Sequence, residues 1–443
     1  VDNIWKADVN PEICMFTSQY QPNQSYKVQK LLEGIFCMAP KGWKRCVVGT
    51  QTEQMLNLGH PWILRDRFTD QWPPGESGEG IALHGTDGTL LGFALRDDDR
   101  RIVARVIAWP PPARAPRIDE EWFYARLETA LKLRHAHVDL DMTDAYRLVN
   151  AEGDQMPGMT VDVYGEFVML QFYTTMWEPM REPLVQAVQR LMRPQGIYAK
   201  FRPRQTRELE KKKDKRYSTL LMGQEAPNLV QVQENGLTFG VDLKQGLHTG
   251  LFMDQRHNRK ALMPFCEGRR VLNLFSFTGA FSVVAAASGA REVVSVDASA
   301  QYQTWTKNNF ALNRLDPQRH RFIVGDCHKV LQELAHAGEI FDIVIMDPPS
   351  FSTVGKNRFT TSGGTANLAA AALGVLAEGG CLITSSNHQK VDVAEYLKEL
   401  RRGALQAGTP LRIIQTGGQG ADFPFLITCP EGRYLKYVVG VKG

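Results

Sequence analysis

The stretch RVLNLFSFTGAFS, residues 270–282, decides the fold. Residues 270–274 form a short apolar run of strand length. Polar and small residues follow, and then an apolar helical pattern over 278–288. The same unit repeats downstream. Strands are expected at 292–296, 321–324, 341–346, 381–384, 411–415 and 434–441. Helices are expected at 300–313, 327–337, 365–377 and 392–407. Regular strand–helix alternation means a parallel, doubly wound α/β sheet. No helix separates the last two strands, so they should form an antiparallel hairpin at one edge.

In such a sheet, ligands sit beyond the carboxyl ends of the strands. The loop after the first strand runs Asn273-Leu274-Phe275-Ser276-Phe277-Thr278-Gly279. It holds one glycine and no GxGxxG, so it is not built around a pyrophosphate. Gly279 is expected to let backbone approach a ligand, and Thr278 to cap the next helix. After the second strand stands Asp297, followed by Ala298. Its carboxylate can accept hydrogen bonds from both ribose hydroxyls of an adenosine, and the competing reading is a helix N-cap. Asp326-Cys327 follows the third strand, where a carboxylate suits an adenine amino group or, again, a cap. Asp347-Pro348-Pro349-Ser350-Phe351 follows the fourth. Two prolines fix that turn, aiming Asp347 at a transfer site and offering Phe351 for stacking on a base.

Upstream, residues 246–259 are dense in polar groups just before a helix. Read alone this is a capped turn. Read with the rest it wraps the amino-acid end of a cofactor, with Phe252 beside it, Asp254 on an ammonium, and Arg256 or Arg259 on a carboxylate or phosphate. The hairpin ending is typical of class I methyltransferases rather than dehydrogenases.

The N-terminal half is organised differently. Strands at 45–48, 81–84, 89–95 and 102–109, with a turn at 85–88, describe a small β-barrel-like module that ends at Pro110-Pro111-Pro112. A helix capped by Asp119, strands near 147–150, 160–164 and 166–173, a helix over 180–192 and a strand at 197–201 make a central α+β unit. The divisions are 1–40 as an extension, disordered or non-native, then 41–112, 113–225 and 226–443. Residues 201–220 carry eight basic side chains against three acidic ones. They are either a solvated face or a phosphate-contacting strip. Arg202, Arg204, Lys211 and Lys212 are the candidates there, with Lys44, Arg45 and Arg65 in the first module.

The 443 residues exceed one ordinary domain. Seven scattered cysteines form no CxxC pair and suggest reduced thiols, hence a cytoplasmic protein. No apolar run is long enough for a transmembrane helix, and no metal-ligand spacing stands out. A net charge of +4 permits a polyanionic partner.

Taken together these segments resemble the large-subunit ribosomal RNA methyltransferase I-like proteins, which pair a PUA-like domain with a class I methyltransferase domain. The resemblance rests on Gly59-His60-Pro61-Trp62, the run from Arg147 to Asp154, Pro157-Gly158, the 248–259 stretch, the 273–279 loop, Val296-Asp297, Asp347-Pro348-Pro349 and the ending from Pro430 to Lys436. It covers roughly 44–443. It implies S-adenosylmethionine as cofactor, a PUA-like β-barrel over the first module, ribosomal RNA as substrate and no membrane, with a homodimer as the assembly to consider. One departure matters. Cytosine C5 methylation needs a thiolate, which relatives of that chemistry carry just after the fifth strand. Here that segment is Thr384-Ser385-Ser386-Asn387-His388. It looks closer to the related guanine-N7 methyltransferase domain, with Asp347 and Asn387 on the base edge. The alternatives are a non-catalytic RNA-binding assembly factor and a DNA adenine methyltransferase.

Overall fold

Residues 42–201, 218–246, 248–349, 353–354, 357–358 and 361–443 are described by the computed structural model. Five short strands come first: β1 (Lys44–Val47), β2 (Trp62–Leu64), β3 (Gly80–His84), β4 (Leu90–Arg96) and β5 (Ile102–Ala108). They form one sheet in the order β1-β3-β4-β5-β2, with only β1 and β3 parallel. Its apolar side chains, among them Ile63, Ile81, Leu83 and Ala104, close a core of their own. A short helix, α1 (Thr50–Asn57), and β2 escape the sequence reading, because neither has a clear apolar period. The arrangement is consistent with a PUA-like domain.

Helix α2 (Glu120–His137) begins at the expected cap: the Asp119 carboxylate accepts the Trp122 N–H at 3.1 Å. A second sheet follows, built from β6 (Ala145–Asn150), β7 (Met159–Tyr164), β8 (Phe167–Phe172), β9 (Gly196–Phe201) and β10 (Thr219–Gly223) in reverse numerical order. Helix α3 (Arg181–Met192) crosses between the parallel pair β8 and β9. Phe123, Leu127, Trp177 and Leu184 fill the core beneath, and Leu95 and Ile107 of the first sheet share it. Glu152 ties the two sheets further, accepting from Trp62 Nε1 at 2.9 Å and from Arg105 Nη1 at 2.6 Å.

A hairpin of β11 (Val230–Glu234) and β12 (Leu237–Val241) comes next. Its turn has Asn235 at φ 52° and Gly236 at φ 79°, the paired positive angles that favour Asn-Gly in two-residue hairpins.

The C-terminal sheet uses β13 (Arg270–Leu274), β14 (Glu292–Asp297), β15 (Arg321–Val324), β16 (Phe341–Met346), β19 (Leu376–Ser386), β20 (Leu411–Gly417) and β21 (Lys436–Lys442). Between β16 and β19 lies a two-residue ladder, β17 (Thr353–Val354) and β18 (Asn357–Arg358). The strand order is β15-β14-β13-β16-β19-β21-β20. The first five are parallel, and β21 runs antiparallel between β19 and β20. The connecting helices are α4 (Arg256–Leu262), α5 (Ala280–Ala287), α6 (Ala300–Leu312), α7 (Cys327–His336), α8 (Thr361–Gly374) and α9 (Val393–Gln406). Strand residues such as Val271, Val294, Val344 and Leu382 are fully buried, as a sheet covered on both faces requires. No helix among the described residues is long and apolar enough to cross a membrane.

Candidate active site

The chain leaves β13 toward β14 and β15, then crosses back to β16 on the other side. Loops therefore diverge at the carboxyl ends of β13 and β16 and open a crevice there. All five parallel strands deliver their following residues to that edge.

The loop after β13 is held from every side. Phe275 N–H meets Cys327 Sγ at 3.3 Å, Ser276 N–H donates to Val296 O at 2.9 Å, and Phe277 N–H donates to Asp297 Oδ2 at 2.9 Å. Asn309 Nδ2 donates to Thr278 O at 2.8 Å. Phe275 and Phe277 are non-glycine residues at φ 57° and 51°. Such angles cost about 1–3 kcal/mol each and persist only where surroundings over-determine them, as these bonds do. Thr278 does not cap the next helix. Its hydroxyl donates to Gly250 O, and Gly279 at φ 80° occupies the cap position. A Cβ at Gly279 would stand 2.3 Å from Thr306 Cγ2, so packing against α6 also requires a glycine here. Asn273 is likewise inward: its Nδ2 donates to Ser282 Oγ at 2.8 Å in the core.

Asp297 is half-buried at the end of β14. It is not the cap of α6, since Ser299 fills that place by accepting the Tyr302 N–H. Its oxygens brace Phe277 N–H and Ser299 N–H, while burial raises its carboxyl above the usual range. Phe277 stacks edge-on to Tyr302 at 4.5 Å and lies 5.2 Å from Phe252, making an aromatic wall beside Asp297. Neither Phe277 nor Tyr302 has a role assigned from the sequence. Asp326 caps α7 through Oδ1, which accepts from His328 and Lys329 N–H. Cys327 turns its thiol into the core, where burial pushes it up to about 12. Ala298, after Asp297, is exposed.

Asp347 follows β16, with Pro348 buried behind it. Ser385 Oγ donates to its Oδ1 at 2.5 Å, and Gln255 Nε2 donates to its Oδ2 at 3.2 Å. Asp254 lies nearby and accepts the Tyr434 hydroxyl at 2.7 Å. Desolvation lifts both carboxyls. Asp347 reaches about 6, with the Asp254 charge adding to the rise. Gln255, Ser385 and Tyr434 had no assigned role in the sequence.

Two expectations fail for an identifiable reason. Arg256 does not face a ligand: Nη2 pairs with Asp422 at 2.6 Å and Nη1 donates to Ala145 O. Arg259 forms a two-pronged pair with Glu234 at 2.6 Å. Both guanidiniums are buried and hold the hairpin and β6 against α4. Residues 253–255 form a 3-10 turn. Neighbouring side chains there point about 120° apart, and the three meet different partners: Asp254 meets Tyr434, Gln255 meets Asp347 and Arg256 meets Asp422.

Asn387 is exposed just beyond β19, and Phe351 lies outside the described residues. In the first module Lys44 pairs with Glu79 and Arg65 with Asp70, while Arg45 is exposed. Arg202, Arg204, Lys211 and Lys212 lie outside the described residues. The thiols of Cys46, Cys266, Cys381 and Cys429 are all raised, chiefly by burial. His60, Cys429 and Glu431 bring ligand-type atoms within 4.8 Å of one another. However, the Trp62 N–H donates to His60 Nδ1 at 3.3 Å, which leaves the ring proton on Nε2 facing Glu431. A metal-binding His needs its other nitrogen to donate, so the trio reads as a packing contact.

The donor set fits S-adenosylmethionine. Carboxylates at the ends of β14 and β15 and in the 253–255 turn are acceptors of the kind that a ribose diol, an amino group and an ammonium, all donors, require. Helix α5 begins without a glycine-rich phosphate cradle. Fold and crevice together define a class I S-adenosylmethionine-dependent methyltransferase. A family model for S-adenosylmethionine-dependent methyltransferases matches residues 148–424. Ribosomal RNA large subunit methyltransferase I of Shigella boydii serotype 18 is 33% identical over 393 residues, 88% of this chain and 98% of that protein. The same-named protein of Escherichia coli O139:H28 matches to the same extent. A crystal structure of a methyltransferase complexed with SAH superposes with TM-score 0.80 at 29% identity, covering 90% of this chain and 100% of that one. An S-adenosylmethionine-dependent methyltransferase from Streptococcus mutans gives 0.77 at 28%, with the same coverage. The chain belongs to the ribosomal RNA large subunit methyltransferase I family.

Proposed function

We propose that this enzyme methylates a base of large-subunit ribosomal RNA in the cytoplasm, at guanine N7, without a covalent enzyme–base bond. Residues 41–112 would be the RNA-binding module, 113–225 the connecting domain and 226–443 the catalytic domain. A homodimer is the assembly to test. The observation that carries the reading is the group facing Asp347. It is the Ser385 hydroxyl, at 2.5 Å, and the segment that holds a cysteine in C5 chemistry is Ser385-Ser386-Asn387 here. A buried thiol raised to about 12, as in Cys327, is too poor a nucleophile to replace it.

S-adenosylmethionine supplies an electrophilic methyl group when bound. Asp297 and Asp326 would hold its adenosine, and Asp254, steadied by Tyr434, its ammonium. Asp347 and Asn387 would grip the base edge. N7 of guanine carries no proton, so alignment rather than proton removal is the task. Methylation there leaves the base cationic, and the ionised Asp347 offsets that charge from a dry site. The raised carboxyl of Asp347 favours a second reading, transfer to an exocyclic amine, because a carboxylate titrating near 6 can also accept the amine proton. Nucleoside mass spectrometry of large-subunit RNA after incubation with methyl-labelled S-adenosylmethionine tests both. Labelled 7-methylguanosine is expected, a labelled N-methyl amine selects the second reading, and labelled 5-methylcytidine refutes both.

A further inference from the structure

Asp347 is served by two donors, and one of them is itself held in a single orientation. Gln255 is 3% exposed. Its Oε1 accepts from Asn258 Nδ2 at 2.6 Å, and Asn258 Nδ2 also reaches Gly418 O at 3.1 Å. A carboxamide whose oxygen is taken by a donor must turn its NH2 the other way. Gln255 Nε2 therefore faces Asp347 Oδ2 at 3.2 Å and Ser385 Oγ at 3.1 Å. Flipping the amide would set Nε2 against Asn258 Nδ2, donor to donor, and Oε1 against a carboxylate.

We propose that Gln255 is a positioning residue that keeps Asp347 ionised and aimed into the crevice, through an amide orientation locked by Asn258. Among the described residues, the side-chain hydrogen bonds to Asp347 come from two donors. Ser385 Oγ donates to Oδ1 and Gln255 Nε2 to Oδ2, so both oxygens are stabilised as anionic acceptors. They work against the groups that favour the protonated form: burial itself and the Asp254 carboxylate. Arg259 acts in the same direction as the donors. Among the described residues, the other titratable group facing Asp347 is Tyr396, whose hydroxyl donates to Ser385 O at 3.1 Å and whose own ionisation is pushed far up by burial. Gln255 also couples two parts of the site. It sits on the turn that carries Asp254, and it holds the acid that follows β16.

This inference rests on Asp347 acting at the transfer site, whichever base nitrogen receives the methyl group. The test uses the full-length enzyme with Gln255→Leu and the near-isosteric Gln255→Glu. Single-turnover methyl transfer is measured from pH 5.5 to 8.5. Carbon-13 titration of aspartate-labelled, cofactor-free protein is recorded in parallel, with Asp347→Asn to assign the resonance. Loss of the donor should raise the Asp347 titration by roughly one pH unit, and Gln255→Glu should raise it further by adding a third carboxylate. A one-unit shift from about 6 lowers the rate at pH 6 by about fivefold and at pH 8.5 by less than about twofold. S-adenosylhomocysteine affinity by calorimetry should stay within about threefold. A uniform loss of rate at every pH, with the carbon-13 titration unmoved, would assign Gln255 a merely structural role and overturn the proposal. An unmoved titration in Gln255→Glu alone, should the leucine variant not fold, has the same meaning. Failure of the functional reading shows up separately, as a different labelled nucleoside from the wild-type enzyme.

Discussion

Asp347→Asn removes a carboxylate that folding makes hard to ionise. The group titrates near 3.8 in an unstructured chain and at about 6 in the fold. A folded state that holds its proton more tightly loses stability as pH rises from the lower value through the upper one, and the loss is complete above it. Linkage gives a loss of about 1.6 kcal/mol at pH 5 and about 3 kcal/mol at pH 8. The difference between those two, about 1.4 kcal/mol, belongs to the titration alone. The asparagine variant lacks it. What the amide does in place of the acid, including an unfavourable meeting of its NH2 with Gln255 Nε2, is the same at both pH values and cancels. Asp254 adds to the effect with the same sign, because it loses a neighbouring negative charge. The stability of Asp347→Asn relative to wild type should therefore rise between pH 5 and pH 8, a shift in melting-temperature difference of about 1–2 °C for a chain of this length. Turnover at pH 8 should meanwhile fall by roughly 100-fold. Thermal melting of both proteins without cofactor at the two pH values, with a turnover assay at pH 8, checks this. An equal melting difference at pH 5 and pH 8 would refute the claim that burial dominates the environment of Asp347.

Two further outcomes follow from the geometry. Asp297→Ala should weaken S-adenosylhomocysteine binding by about 10- to 100-fold, the value of charge-assisted bonds to two hydroxyls; calorimetry showing a change below threefold removes the adenosine from β14. Arg259→Met should destabilise the fold by about 3–5 kcal/mol by stranding Glu234, whereas Arg259→Met with Glu234→Leu should recover most of that; urea titrations in which the double variant is as unstable as the single one would show that packing, not charge, is at stake.

Much of the catalytic sheet was legible. The strands expected at 270–274, 321–324 and 341–346 are the observed β13, β15 and β16, because a continuous apolar run bounded by turn residues admits few alternatives. The hairpin of β11 and β12 was missed although its signal is present. Val230-Gln231-Val232-Gln233 alternates in burial, and Asn235-Gly236 marks the turn. With it went Glu234, and so the true partner of Arg259. Gln255 was harder to find. It lies between two charged residues, and nothing in linear order says which of the three faces the crevice.

The sequence by itself determined the doubly wound sheet, the places where strands end in Asp297, Asp326 and Asp347, and the lack of a cysteine after the fifth strand. Those are local matters: apolar period, proline and residue identity act over a few neighbours. Only the tertiary structure decided what each polar group does. Arg256 and Arg259 became buried ion pairs, Thr278 a tether to Gly250, and Cys327 an inert thiol. Gln255, Ser385 and Tyr434 emerged as the partners of the two carboxylates. Hydrogen bonds between residues about 90 to 180 positions apart leave no trace in spacing. The side that a turn residue faces is set by what packs against it, and that is known only once the chain has folded.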